Sequence, residues 1–206
     1  MEFWNSLLTE ESQKLLLNLK SLESENKIKF VLIGGWAVWL HTKMLKSKDI
    51  DIILKDFESL NFFKENYKAS KNDKLKKYEI KIGDVDIDIY VPYFSEFIIP
   101  VEELIKYDIK IEDLNVLTPE MLLILKQQAE IARGSTVKGM KDKVDIISLC
   151  NKINFQEYHN ILEKYDLLNL RTRLKSIIKN FNEPGYLNLD FIGLKRLKRD
   201  LLKKCL

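Results

Sequence analysis

Two stretches of sequence decide the fold: Phe30-Val31-Leu32-Ile33-Gly34-Gly35-Trp36 and, shortly after, Ser47-Lys48-Asp49-Ile50-Asp51-Ile52. In the first, four apolar residues predict a short buried strand. Gly34 and Gly35 break it and let the backbone turn tightly and approach a ligand closely. Residues 36–42 then read as a helix, whose free N–H groups and dipole attract phosphate. In the second stretch, Asp49 and Asp51 read as two apart on a strand that includes 50–54, so both carboxylates point to one face. Ile50 and Ile52 point to the other, into the core. Like charges this close repel, and neither acid has an evident cationic partner in the sequence. A bound divalent cation, Mg2+ or Mn2+, resolves the conflict, because such ions take carboxylates together with substrate phosphates.

A third carboxylate from a neighbouring strand would complete a two-metal site. Tyr78, Ile80 and Ile82 alternate with polar residues, as do Val85, Ile87 and Ile89, and Gly83-Asp84 joins the two runs. That pattern predicts a hairpin. Asp86 and Asp88 share one face of its second strand, so parity cannot choose between them. Asp88 is the first choice because Ile89-Tyr90-Val91 follows it, as Ile52-Ile53-Leu54 follows Asp51. Asp86, close to the turn, is the second.

Further out, Thr9 reads as the cap of a helix over 10–24, with Leu15, Leu16, Leu19 and Leu22 as its stripe. Asp56 can cap a helix carrying Phe57, Leu60 and Phe63. Residues 68–76 are polar and read as a loop. A short helix is expected over 101–106 and a final strand over 108–112. Thr118-Pro119-Glu120 marks a helix start. Beyond it every pattern is helical, over about 119–132, 141–151, 155–165, 167–181 and 190–204. The expectation is an α+β front half, a small mixed β-sheet flanked by helices over 1–117, and an all-helical C-terminal part over 118–206.

The composition agrees with a folded chain. Of 206 residues, 46% are hydrophobic and 32% charged, enough to bury a core. The longest uncharged apolar run, 30–40, falls short of the roughly 20 residues a bilayer span needs. Glu2 stands where a signal peptide carries positive charge, and no apolar signal core follows. Two cysteines, Cys150 and Cys205, are too few for a disulfide framework. A soluble, cytoplasmic protein with no membrane partner is expected. The formal charge is +3, but residues 195–204 alone carry +5, so the basicity is local.

The diglycine, thirteen intervening residues, Asp49-Ile50-Asp51 and a later lone-strand acid together resemble the DNA polymerase β-like nucleotidyltransferase superfamily. The resemblance implies that Asp49, Asp51 and Asp88 bind Mg2+ and a nucleoside triphosphate. It also implies that Asp88 helps deprotonate the acceptor hydroxyl, and that Gly34 and Gly35 hold the triphosphate. Ser47 falls where many members have a Ser or Thr, as a further phosphate contact. In the back half, Lys126, Arg133 and Lys141-Asp142-Lys143-Val144-Asp145 are similar to a pattern of minimal nucleotidyltransferases. These include the abortive-infection type IV toxin-like group and the antibiotic nucleotidyltransferases. There Lys126 would contact the nucleotide and Asp145 would anchor basic residues of the adjoining helix. The two patterns span about 28–150. They imply transfer of a nucleoside monophosphate from an NTP to an acceptor hydroxyl on RNA, protein or a small molecule, with release of pyrophosphate.

Each motif has a plainer reading. Asp49 and Asp51 could be the solvated face of an edge strand, and the glycines an ordinary strand-to-helix turn. Lys126 could be a solvated lysine, Asp145 a helix-internal pair, and Arg133 and Lys141 surface charges. Trp36 and Trp39 read as core. His41 and His159 lack companions at metal spacing. The rival from another class is a non-catalytic nucleotide- or RNA-binding module on the same fold.

Overall fold

The structure is a computed structural model that describes residues 3–205; Glu2, read above against a signal segment, lies outside them. The chain forms two compact units. One comprises Trp4–Leu40 and Lys46–Thr118, the other His41–Leu45 and the chain from Pro119 onward.

The first unit is built on a mixed seven-stranded sheet of order β3-β4-β5-β2-β1-β7-β6. Its strands are β1 (Phe30–Ile33), β2 (Ile50–Leu54), β3 (Ser70–Asn72), β4 (Lys77–Ile82), β5 (Val85–Tyr90), β6 (Asp108–Ile111) and β7 (Leu114–Leu117). β2 runs parallel to β5 and β1 parallel to β7; the other neighbours are antiparallel. This is the α+β arrangement, a small mixed sheet with flanking helices, that the sequence pattern predicts. Every residue of β1 is buried, as expected of a strand covered on both faces. The helices are α1 (Ser6–Ser24), α2 (Gly34–Thr42), α3 (Phe57–Tyr67) and the short α4 (Val101–Leu104). Trp36 of α2 is fully buried, and its indole N–H donates to Ser12 Oγ of α1 at 2.7 Å. The tryptophan is core, as its position predicts.

The second unit is helical: α5 (Pro119–Arg133), α6 (Val137–Leu149), α7 (Phe155–Lys164), α8 (Asn169–Asn180) and α9 (Phe191–Lys204), with a 3-10 turn at Pro184–Leu187. Its core includes Leu122, Leu123, Ile146, Ile147, Tyr158, Leu170 and Ile178, all fully buried. Cys150 and Cys205 are buried free thiols.

Several local readings are corrected. The cap of α1 is Asn5, which accepts from the Leu7 N–H, and the hydroxyl of Thr9 donates instead to the Ser6 carbonyl. The stretch 68–76 holds β3, an edge strand of polar residues that gives no hydrophobic alternation. The strand near 108–112 is half of a hairpin. Glu112 and Asp113 both have left-handed backbones, as a two-residue turn requires, and lead into β7. α2 begins at Gly34 itself. α6 begins four residues early, at Val137, where Thr136 accepts from the Gly139 N–H. Among the described residues no helix is long and apolar enough to cross a membrane.

Candidate active site

Register brings the acids together. Asp51 pairs with Asp88 across the parallel β2–β5 junction, and Asp88 pairs with Glu79 across the β4–β5 hairpin. Paired residues share a face, so three carboxylates form a row across three adjacent strands. On the far side of Asp51 the row continues to Ile33, the residue before Gly34. Asp86 pairs with Lys81, and β2 has no residue opposite it because that strand starts at Ile50, opposite Ile87. The register thus sets Asp88, not Asp86, beside Asp51.

Gly34 is shaped around Asp51. Its backbone is left-handed, at φ +67°, and a Cβ added there would lie 2.6 Å from the Asp51 Cγ and overlap the carboxylate. A side chain at 34 would both strain the turn and displace the acid. Gly34 and Gly35 therefore open α2 directly beside the acidic row. Ser47 is buried in the segment leading to it.

Asp49 departs from its expected place. It lies in the bend one residue before β2, and it does have a cationic neighbour, with Lys48 Nζ at 3.5 Å from its Oδ1. That buried Oδ1 still accepts no hydrogen bond. A buried carboxylate oxygen without a hydrogen bond carries a desolvation cost, and in a native site it calls for an explanation.

Two residues of this site were missed from the sequence. Lys77 of β4 reaches Asp88 at 2.7 Å and Glu79 at 2.8 Å. The signal was present, since a two-residue turn at Gly83-Asp84 fixes the hairpin register and so sets Glu79 opposite Asp88. Burial, and then the Asp51 charge, push the Asp88 carboxyl up to about 6, against the pull of Lys77. Burial draws the Lys77 ammonium down, but Asp88 and Glu79 outweigh it and hold it above the usual lysine range. The hydrogen bond from Lys77 holds Glu79 below the ordinary glutamate range. As the side chains stand, with Asp88 and Glu79 turned to Lys77, no three acid, His or Cys groups among the described residues converge tightly enough to hold a metal ion.

The back-half residues form a separate cluster inside the helical unit. Lys126 Nζ lies 2.7 Å from Asp145 and 3.2 Å from Asp142, Lys141 Nζ 2.9 Å from Asp145, and Arg133 3.2 Å from Asp142. Asp145 thus ties α5 to α6 through Lys126. Lys141, read above as a surface charge, is buried, whereas Arg133 is exposed. Burial alone would raise the Asp145 carboxyl, but Lys126 and Lys141 keep it below its usual range. Burial lowers Lys141.

No protein-family model and no curated protein matches the sequence. Solved structures do. The antibiotic nucleotidyltransferase ANT(2″)-Ia, in complex with adenylyl-2″-tobramycin, superposes with a TM-score of 0.54 at 12% identity, over 74% of this chain and 95% of that one. The solution structure of the same resistance factor gives 0.54 at 14%, over 80% and 95%. The JHP933 protein of Helicobacter pylori gives 0.50 at 15%, over 96% and 90%. The chain has a nucleotidyltransferase-like fold.

On this nucleotidyltransferase-like fold the donor set suits a hard divalent cation. Asp49, Asp51 and Asp88 offer only carboxylate oxygens, as Mg2+ prefers. One of those oxygens is buried and accepts no hydrogen bond. Burial, and after it the Asp51 charge, raise the Asp88 carboxyl, and a cation at the same row would offset both.

Proposed function

We propose that the protein is a metal-dependent nucleotidyltransferase that moves a nucleoside monophosphate from an NTP to an acceptor hydroxyl and releases pyrophosphate. The observation that carries the reading is Asp51 and Asp88 in register on parallel strands, with Gly34 backed against Asp51 at the start of α2. The catalytic core is the sheet unit, Trp4–Leu40 and Lys46–Thr118, close to the expected 1–117, and the helical part is the unit that runs on from Pro119, close to the expected 118–206.

Asp49, Asp51 and Asp88 would hold Mg2+ or Mn2+. The bound ion would supply charge neutralisation for the triphosphate and for the attacking oxygen. The chain's own residues do the rest. The backbone of Gly34 and Gly35 receives phosphate oxygens at the opening of α2, where the free N–H groups and the dipole favour anions. Ser47 adds a hydroxyl contact. Asp88, whose carboxyl sits near 6 through burial and the Asp51 charge, accepts the proton of the acceptor hydroxyl. The resemblance assigns Lys126 a nucleotide contact; in the helical unit Lys126 is held by Asp145 and Asp142, a supporting cluster that Lys141 and Arg133 share. Catalysis is positioning and electrostatics, as in phosphoryl transfer generally.

The experiment is incubation with each α-labelled NTP, Mg2+ and a total cell extract. Label is expected on one acceptor class, RNA, protein or small molecule, with pyrophosphate released. Nucleotide or RNA binding without turnover for all four NTPs would replace this reading with a non-catalytic module.

A further inference from the structure

The C-terminal helix α9 carries a concentration of charge that the acidic site does not use. Residues 169–205 carry ten Lys and Arg against three acids, net +7, while the whole chain is only +3. The charge is arranged, not merely abundant. Leu194 and Leu201 are buried, so one face of α9 is committed to the helical unit. The opposite face presents Lys195, Arg196, Arg199 and Lys203, all exposed. Among the described residues Lys195, Arg196 and Lys203 have no ion-pair partner, and Arg199 has only its exposed neighbour Asp200 at 3.3 Å.

Helix stability does not account for this stripe. Lys195, Arg199 and Lys203 repeat at four-residue spacing, which stacks like charges and costs a few tenths of a kcal/mol per pair. Only Lys203 and Lys204 lie in the last turn, where the dipole rewards cations. At 1.5 Å per residue the repeat sets a positive charge about every 6 Å along the axis, comparable to the step between successive phosphates of an extended strand. At the start of the same helix Phe191 and Ile192 are 75% and 64% exposed, an aromatic ring and an aliphatic side chain beside the basic stripe. Cationic tracks with an exposed ring are how single strands are held without sequence preference.

We infer that the outward face of α9 binds single-stranded nucleic acid, its basic stripe on the phosphates and Phe191 stacked on a base. An anionic membrane is the weaker fit. A membrane-bound amphipathic helix inserts its apolar face, and here Leu194 and Leu201 are already buried in the protein. The inference goes beyond the transfer reading. Where both hold, the acceptor class is a nucleic acid.

The test is fluorescence anisotropy of the full-length protein with a short labelled single strand, as RNA and as DNA, in EDTA and without NTP. Binding is expected to weaken with salt at a log–log slope of about −3, from four contacts at ~0.7 each. Arg196→Glu/Arg199→Glu should lose affinity at least about tenfold at low salt, and Lys195→Gln/Lys203→Gln should flatten the slope by about 1.4. Phe191→Ala should weaken strand binding about tenfold. Unchanged binding in both charge variants, or tight binding only to phosphatidylserine vesicles, would overturn the inference. So would equal affinity for duplex and single strand. Neither metal nor NTP enters the assay. Its failure therefore leaves the transfer reading standing, and failure of labelled transfer leaves this one standing.

Discussion

The Asp142–Asp145 cluster of the helical unit and the acidic row of the sheet unit are built on opposite principles. In the helical unit Asp142 and Asp145 meet three cations, Lys126, Lys141 and Arg133. In the sheet unit Lys48 pairs with Asp49, and the single Lys77 serves both Asp88 and Glu79. The first cluster holds Asp145 below its ordinary range; the second pushes Asp88 up to about 6 and leaves a buried Asp49 oxygen without a hydrogen bond. Ion pairs that compensate one another hold helices together. Burial raises the Asp88 carboxyl even with Lys77 beside it, so its charge costs stability, a cost that the proposed cation would offset.

The comparison can be broken most severely at Asp51. Asp51→Asn should lower nucleotidyl transfer by about a thousandfold or more while the far-ultraviolet spectrum stays unchanged. An Asp51→Asn protein with full turnover would move the chemistry elsewhere. Next, Asp145→Asn should destabilise the helical unit by about 3 to 5 kcal/mol, because Lys126 and Lys141 stay buried with one carboxylate fewer. A urea titration that shows no loss would mean that this cluster is not structural. Gly34→Ala, where a left-handed backbone and the Asp51 carboxylate both oppose a Cβ, should abolish activity and cost about 1 to 3 kcal/mol.

Asp88→Asn should have the opposite sign in stability. Asp88 ionises at about 6 in the fold against a usual 3.8, so its charge costs nothing below pH about 4 and its full amount above about 6. The shift corresponds to at most about 3 kcal/mol. Lys77 keeps Glu79 as a partner at 2.8 Å. In EDTA the variant should therefore be more stable than wild type at pH 8 and equal to it at pH 4, although inactive. Thermal melts at the two pH values decide it, and a variant less stable at pH 8 would show that Asp88 is already compensated.

How much was legible follows the same division. Where residues face both core and solvent in a strict alternation, as in β4 and β5, the strands and their turn could be read from the sequence, while the pairing of Glu79 with Asp88 that follows from that turn was missed. The buried run of β1 and the glycines after it were equally readable. The edge strand β3 was not. Ser70-Lys71-Asn72 buries almost nothing, and its backbone pairing with β4 leaves no trace in side-chain pattern. β7 was hidden because Glu112 and Asp113 take left-handed backbones without a glycine to announce the turn. At the site, residue types and parity pointed to Asp49, Asp51 and one of Asp86 and Asp88; the apolar residues after Asp88 made it the first choice, and the register set by the start of β2 puts it beside Asp51. The lysine partners escaped because a long side chain can reach many acids, and only the fold says which. In the same way Lys141 looked like a surface charge until the packing of α5 on α6 buried it.

The most direct measurement is a carboxyl-carbon NMR titration of Asp88, first in EDTA and then with saturating Mg2+. The account predicts a midpoint near 6 without the ion, and a fall of about a unit or more with it, since a nearby cation favours the charged carboxylate. A midpoint near the ordinary aspartate value in EDTA, or one that Mg2+ does not move, would contradict it.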